Sequence, residues 1–162
     1  MFNELIQTKK DYAAMWGRLA LGLVILPHGL QKVFGWYGGS GYSGTMDGFM
    51  SMGVPSLLAF LAIMVESLGA FALIIGLLGR LAAFGIAVNM TVAIFMVHRQ
   101  NGFFMNWTGM QPGEGFEFHL LAIGLAIGVM ITGSGAYSAD LSMSKPRYLK
   151  ALHEPIDLEQ SA

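Results

Sequence analysis

A few polar side chains interrupt the apolar stretches of this sequence, and their types suit proton chemistry. The segment ILPHGLQKVFGW places His28, Gln31 and Lys32 near the end of a long apolar run. Because His28 and Lys32 are four residues apart, a helix would bring them to one face. Glu66 is the one charged residue of a second apolar run. Histidine, lysine and carboxyl groups exchange protons readily, so this set favours general acid–base chemistry.

Two other apolar runs also carry polar residues: Asn89 and His98 lie in the third run, and Glu117 and His119 begin the fourth. At 1.5 Å per residue, His28 lies roughly 9 Å inside the end of its run, and Glu66 roughly 16 Å inside. These depths predict one polar pocket shared by four segments. The expected catalytic groups are Glu66, His28 and Lys32, and the expected cofactor-binding groups are His28, Gln31, Lys32, Glu66, Asn89, His98, Glu117 and His119.

The elements that must position these groups are four apolar segments, at about 12–34, 55–78, 81–98 and 117–133. A membrane-spanning helix needs about 20 residues, and a lone strand would leave its backbone unpaired in lipid. Only 12% of the residues are charged and mean hydropathy is +0.57, whereas soluble domains carry about 25% charged residues. The sequence therefore predicts an all-α polytopic membrane protein, a bundle of four transmembrane helices.

Lysine and arginine are distributed unevenly between the two sides of this bundle. Seven of them fall on the side that holds the N-terminus, the turn at Arg80 and the C-terminal tail, and two, Lys32 and Arg99, fall on the other. The positive-inside rule then places both termini in the cytoplasm of a bacterial-type inner (plasma) membrane. The long connections, 35–54 and 99–116, are expected to be periplasmic or extracellular.

The connections and the tail complete the predicted organisation. Both long connections are rich in glycine and aromatic residues, and Thr45–Met52 is predicted to form a short interfacial helix capped by Thr45. We expect a membrane domain at 1–141 and a polar cytoplasmic tail at 142–162. About a dozen polar residues precede the first apolar run, which favours the absence of a cleaved signal peptide.

Composition excludes several classes of function. The chain has no cysteine, so it offers no disulfide scaffold, CxxC redox centre or thiolate metal site of its own. Its net charge of −1 and lack of a basic patch argue against nucleic-acid binding.

A charge at mid-bilayer costs at least about 2.5–3.5 kcal/mol, which favours a Glu66 side chain that faces the interior of the bundle. Lys32 and Arg99 lie near helix ends, so an equally simple explanation of their presence is that their long side chains extend the charged group to the membrane surface.

The chain resembles the DoxX family of small membrane proteins over about residues 15–141. The resemblance begins at RLALGLVILPHGLQKVFG and continues through VESLGAFALIIGLLGRLAAFGIAVNM, VHRQNGFFMNW and GEGFEFHLLAIGLAIGVMITGSGAYSAD. The positions that match the family pattern are Arg18, His28, Gly29, Lys32, Glu66, Gly69, Arg80 and Glu117.

This resemblance implies a four-helix membrane fold and a link to redox chemistry. Similar proteins include small quinone-linked subunits of thiosulfate oxidation, and some members work with superoxide dismutase and a sulfurtransferase. The sequence departs from the family pattern after Glu117, where EFHLL adds His119. Without cysteine, any thiol chemistry would use a partner's thiols or a small molecule.

Several functions remain open at this point. The first is a quinone-linked redox subunit that works with other proteins, since a quinone needs an apolar slot and polar groups for its two oxygens. The second is a metal or haem protein, with candidate ligands His28, His98, His119, Glu66 and Glu117. The third is a non-catalytic scaffold or assembly subunit, as a homo-oligomer or within a larger complex. A small-solute channel or transporter is the fourth.

Overall fold

The computed structural model describes residues 2–144, and within them the chain consists of helices and loops without a strand. This confirms the all-helical prediction for those residues. Positions 145–162, most of the predicted tail, lie outside them. The helices are α1 (Phe2–Ile6), α2 (Tyr12–Phe34), α3 (Gly41–Ser51), α4 (Ser56–Ile75), α5 (Gly79–Asn101) and α6 (Glu117–Thr132), with a 3₁₀ turn at Trp36–Gly38 and further helical residues at 139–144.

Three of these helices, α2, α4 and α5, are long and apolar enough to cross a membrane, and α6 is a shorter apolar helix of 16 residues. The predicted segments match them closely. The second segment ends at Ile75 and not at 78, because Gly76 and Leu78 have left-handed backbones, with φ of 70° and 49°. The third therefore begins earlier, at Gly79, and it continues to Asn101 through a 3₁₀ turn.

The short helix α3 differs from its prediction. It begins at Gly41 instead of Thr45, and no side chain caps it. The chain is already helical four residues ahead of the predicted start, and within this turn a Cβ on Gly44 would lie 2.8 Å from the Ser40 Cβ. The helix ends at Ser51, where the Met52 N–H bonds back to the last turn. The predicted start and cap were wrong.

The four long helices pack around one apolar core. Helix α2 packs between α4 and α6, and α5 packs against α6 and the middle of α4. Burying aliphatic side chains in such a core is worth roughly 25 cal/mol per Å² against water, while in lipid close packing takes over that role. Each helix contributes to the core: Leu21, Ile25, Ala70, Leu73, Ala83, Ile86, Met90, Ala122, Ala126 and Val129.

Two glycines allow α2 to approach α4 closely. A Cβ at Gly22 would lie 3.0 Å from the Ala70 carbonyl oxygen, and one at Gly29 would lie 2.6 Å from the Ser67 Cα. Gly22 and Gly29 are seven residues apart, which is two helical turns, so they share one face of α2. This face sets the distance between the helices that carry the polar groups described below.

A buried polar network holds the turn between α4 and α5. The Arg18 guanidinium, 1% exposed, donates to the carbonyls of Leu73 (2.5 Å) and Ile74 (2.6 Å) at the end of α4. It also donates to carbonyls of the 134–137 segment. The Asp140 carboxylate accepts from the N–H groups of Leu78 (2.8 Å) and Gly79 (3.0 Å), which begin α5. Both helix ends at this turn are thereby satisfied.

Candidate functional site

Glu66 is a buried carboxylate with partners from two other helices. Its side chain is 7% exposed. The Lys32 ammonium of α2 donates to Oε2, and the Asn89 amide of α5 donates to Oε1 at 2.7 Å. The carboxylate is therefore paired and hydrogen-bonded at both oxygens, as a buried charge requires. The intramembrane charge that the sequence singled out faces the interior of the bundle.

A π-helical turn places Glu66 at this point. Within α4, Val65–Gly69 forms π-helix, a rare distortion that frequently marks functional sites. The distortion displaces the regular helix hydrogen bonds, and the Ser67 hydroxyl donates to the Ile63 carbonyl at 2.7 Å. Gly29 packs on this same turn, so Lys32, one turn further along α2, reaches the carboxylate. The HG-x-x-K spacing is explained by this contact.

Histidines form a second polar group in the same region. The His98 and His119 rings lie 4.0 Å apart between centroids. The His98 Nδ1 contacts the Glu114 carbonyl oxygen at 2.9 Å. His119 is 6% exposed, and its Nδ1 is buried without a hydrogen-bond partner among the described residues. An unpaired buried polar atom is costly, so this nitrogen is a natural contact for a bound molecule.

Helix α5 also contains a π-helical turn at the histidine group. The turn covers Ile94–His98 and ends in the stacked histidine. On the other side of the pair, the Phe118 ring lies 5.4 Å from His119 and 5.8 Å from His28. A chain of ring contacts thus runs from His98 to the helix that carries Lys32. Both π-helical turns of the described chain hold a polar site group.

A cavity of about 730 Å³ joins the carboxylate group to the histidine group. Its volume lies within the ~300–1,000 Å³ typical of small-molecule sites. Most of its wall is apolar and comes from α4 and α5, with Met105 and residues of the 52–55 segment at one end. Its polar lining comprises His28, Lys32, Glu66, Asn89, His98, Glu114 and His119.

The apolar wall of the cavity is continuous with the outer surface of the bundle. Leu58 and Leu61 on α4 and Val88, Val92 and Met96 on α5 line the cavity, and each is more than 40% exposed. Near the turn that joins them, α4 and α5 pack directly. Further from the turn the cavity separates them. The cavity therefore opens sideways between two apolar helices, where lipid would surround the protein.

Two predicted site residues lie elsewhere. Gln31 is absent from the cavity wall and donates from Nε2 to the Tyr37 carbonyl at 3.4 Å. The Glu117 carboxylate accepts from the Met105 N–H at 2.9 Å and the Trp107 indole N–H at 3.0 Å. Glu117 therefore orders the 99–116 connection above the cavity. The other six predicted residues line the cavity.

The metal and haem alternatives gain no support from this geometry. Within residues 2–144, no three histidine, aspartate or glutamate side chains group closely enough to hold a metal ion. A haem between His98 and His119 would need its ring plane to fit between their rings, and centroids 4.0 Å apart leave no such space.

Sequence reasoning missed three features. The π-helical turns have no pattern in the apolar run that would reveal them. Glu114 lies in the 99–116 connection, for which the sequence analysis considered only composition. Its carbonyl contacts His98, and its carboxylate accepts from the Asn106 N–H. The network of Arg18 and Asp140 had one available signal, a lone arginine inside an apolar run, but its partners lie at the end of α4 and after α6, far from Arg18 in the chain.

Comparison with known proteins identifies the family of this chain. The DoxX family model matches residues 13–99. The Inner membrane protein YqjF of Escherichia coli is 32% identical over 136 residues, which cover 84% of this chain and 95% of that protein. The Putative oxidoreductase CatD of Bacillus subtilis is 28% identical over 123 residues, 76% of this chain and 81% of that protein. No solved structure matches significantly. The chain is a multi-pass membrane protein that belongs to the DoxX family.

Proposed function

We propose that this protein is the quinone-binding membrane subunit of a redox system in a bacterial-type inner membrane. One observation carries the proposal: an apolar cavity opens sideways toward lipid and ends at a buried, hydrogen-bonded carboxylate. Lipid-soluble quinones reach their sites through the membrane, so a lateral opening fits them. The printed name of the Bacillus subtilis relative, an oxidoreductase, is consistent with redox chemistry.

The two polar groups of the cavity would each offer hydrogen bonds to a bound quinone. The Lys32–Glu66–Asn89 group offers proton donors at one end. At the other end the unpartnered His119 Nδ1 offers a hydrogen bond. A bound quinone supplies two-electron chemistry that takes up two protons, with the electrons coming from a redox centre of a partner protein. The chain's own residues bind the ring, orient it and exchange its protons.

The role of Glu66 in this proposal is acid–base catalysis. The carboxylate would take up a proton and pass it to the nearer ring oxygen, after which it again pairs with Lys32 and Asn89. His28 lines the same cavity and keeps a second proton donor within the site. The apolar wall excludes water from the remainder of the cavity, so protons reach the ring only through these side chains.

The proposal includes the topology expected from sequence. Helices α2, α4, α5 and α6 would cross the membrane, with both termini cytoplasmic and the cavity in the outer half. The membrane domain would cover 1–141 and the cytoplasmic tail 142–162. Helix α6, at 16 residues, spans about 24 Å, close to the ~30 Å hydrocarbon core. Cysteines introduced singly at Ser40 and Asn106 would then react with a membrane-impermeant reagent in intact cells, and labelling only after lysis would reverse the orientation.

Quinone binding is tested by gentle purification followed by solvent extraction and mass spectrometry. We expect about one quinone per chain in the wild type and at least a tenfold loss in Asn89→Leu and His119→Leu. Thr91→Val is the matched control, because the Thr91 hydroxyl bonds its own helix at the Ala87 carbonyl and lies outside the cavity. A quinone-free wild type, or equal retention in all variants, would contradict the proposal.

An assembly role is the second candidate, and one surface favours it. Gly124 and Gly128 on α6 are exposed, and a Cβ at either would meet no atom within 4 Å. Small residues four apart let another helix approach closely in a membrane. Stable co-purification of other subunits that survives Glu66→Gln but is lost in Gly128→Leu would favour this function.

A further inference from the structure

A second pocket, of about 430 Å³, lies beside the cavity, between the end of α2 and the helix α3. Four glycines form much of its wall, together with Gln31, Ser40 and Thr45. Gly38, Gly44 and Gly48 are exposed. The pocket is therefore open to the outside of the bundle. Its wall is polar and carries few side chains, so water can fill it.

The two pockets meet at three residues, which are Lys32, Phe49 and Met52. Phe49 and Met52 are apolar and carry no exchangeable proton. Lys32 is thus the one ionisable group shared by both linings. Its side chain is 25% exposed, against 7% for the Glu66 side chain to which it donates.

From this arrangement we propose that Lys32 conducts protons between water in the glycine-lined pocket and the Glu66 carboxylate. The inference rests on the proposed quinone function and adds the route by which the site is resupplied. As the quinone is reduced, an N–H bond of the Lys32 ammonium breaks and an O–H bond forms on the Glu66 carboxylate, which then passes this proton to the ring oxygen. A proton from the outside solvent crosses the water of the second pocket and restores the ammonium, so the Lys32–Glu66 ion pair is regenerated and one proton is delivered per cycle.

The other groups around Glu66 leave few alternatives. Asn89 donates to Oε1 through an amide, which does not release its protons. His28 lines the cavity and is the competing donor, but it is absent from the lining of the second pocket. A route through His28 would draw its protons from the cavity side. The two routes are therefore separable by experiment.

The first test measures access and needs no quinone. The chain has no cysteine, so Lys32→Cys provides one thiol, whose reaction rate with a charged thiol reagent is followed in nanodiscs. Gly48→Leu should slow this reaction at least tenfold by filling the second pocket. Gly128→Leu is the matched control, since a Cβ at either glycine meets nothing within 4 Å. A labelling rate that Gly48→Leu leaves unchanged would overturn the route.

The second test measures proton delivery by infrared spectroscopy while bound quinone is reduced at an electrode. Lys32→Arg keeps the positive charge beside Glu66, but a guanidinium does not deprotonate in proteins. We expect the appearance of the protonated Glu66 band to slow at least tenfold in Lys32→Arg and to stay near wild type in Thr91→Val, whose hydroxyl bonds its own helix outside the cavity. A bound quinone with normal Glu66 protonation in Lys32→Arg would overturn this inference alone, whereas absence of bound quinone would overturn the proposed function.

Discussion

At the scale of residues, the ion pair between Lys32 and Glu66 governs the site. Each partner compensates the charge of the other, and Asn89 occupies the remaining carboxylate oxygen. A buried pair of this kind adds little net stability, because desolvation offsets attraction. Its retention inside an apolar bundle is therefore better explained by function than by folding.

That reasoning predicts a non-additive stability change. Lys32→Met should destabilise the protein by about 3–5 kcal/mol, less whatever Glu66 recovers by taking up a proton. The double variant Lys32→Met/Glu66→Leu should return close to wild type, since no buried charge is left unpaired. Thermal unfolding followed by tryptophan fluorescence measures both. A double variant that is less stable than either single one would show that the pair itself stabilises the fold.

At the scale of elements, helix α2 is held against α4 at one end by Gly29 and at the other by Arg18. Gly29 lets the backbone of α2 contact the π-helical turn around Glu66. Arg18 donates to the last carbonyls of α4, and Asp140 accepts from the first N–H groups of α5. The cavity is thus bounded by two helices whose common turn is fixed and whose far ends are separated.

Gly29→Ala should disrupt this contact. The added methyl group would lie 2.6 Å from the Ser67 Cα, and neither backbone can yield locally. We expect a loss of about 1–3 kcal/mol from overpacking, together with weaker quinone retention because α2 moves away from Glu66. Gly128→Ala, in open space, should be neutral or slightly stabilising in the same unfolding assay. Equal behaviour of the two variants would contradict the close helix contact.

Asp140→Asn should loosen the turn between α4 and α5. The amide keeps one acceptor but loses the charge that pairs with two N–H groups and with the Ser134 hydroxyl, which donates at 2.5 Å. Loss of a helix cap costs about 0.5–2 kcal/mol. Hydrogen exchange at the Leu78 and Gly79 amides should accelerate while exchange near Glu66 stays protected. Unchanged exchange at the turn would show that Asp140 is dispensable there.

At the scale of the whole molecule, the bundle is closed on one side and open on another. Helix α2 packs between α4 and α6, and α5 packs on α6, so the cavity is open at the side, in the gap between α4 and α5. The 99–116 connection, ordered by Glu117 and Glu114, covers the end of the cavity. Under the proposed function, a ligand would therefore enter from the membrane.

Filling the cavity should abolish binding without unfolding the protein. Ala62 lines the apolar wall, so Ala62→Phe would occupy the opening and should lower quinone retention at least tenfold. Ala20→Phe is the control, because Ala20 is exposed on α2 outside the cavity. Both variants should unfold within about 1 kcal/mol of wild type, as surface-accessible substitutions usually do. Full quinone retention in Ala62→Phe would place the ligand elsewhere.

The positions of the long helices and the identity of the polar residues were determined by the sequence alone. Apolar length and charge depletion are local properties, so α2, α4, α5 and α6 were predicted within a few residues. The same holds for the burial of Glu66, because lipid does not tolerate an exposed carboxylate.

Only the tertiary structure decided which of these groups meet. Gln31 and Lys32 are neighbours, but successive residues point about 100° apart on a helix. Gln31 therefore lines only the second pocket, whereas Lys32 lines it and also reaches Glu66. The rotation that selects Lys32 comes from the contact of Gly29 with a π-helical turn, and Glu117 faces the 99–116 connection, where it accepts from the Met105 N–H. Helix rotation and register depend on contacts between segments distant in the chain, which local sequence does not specify.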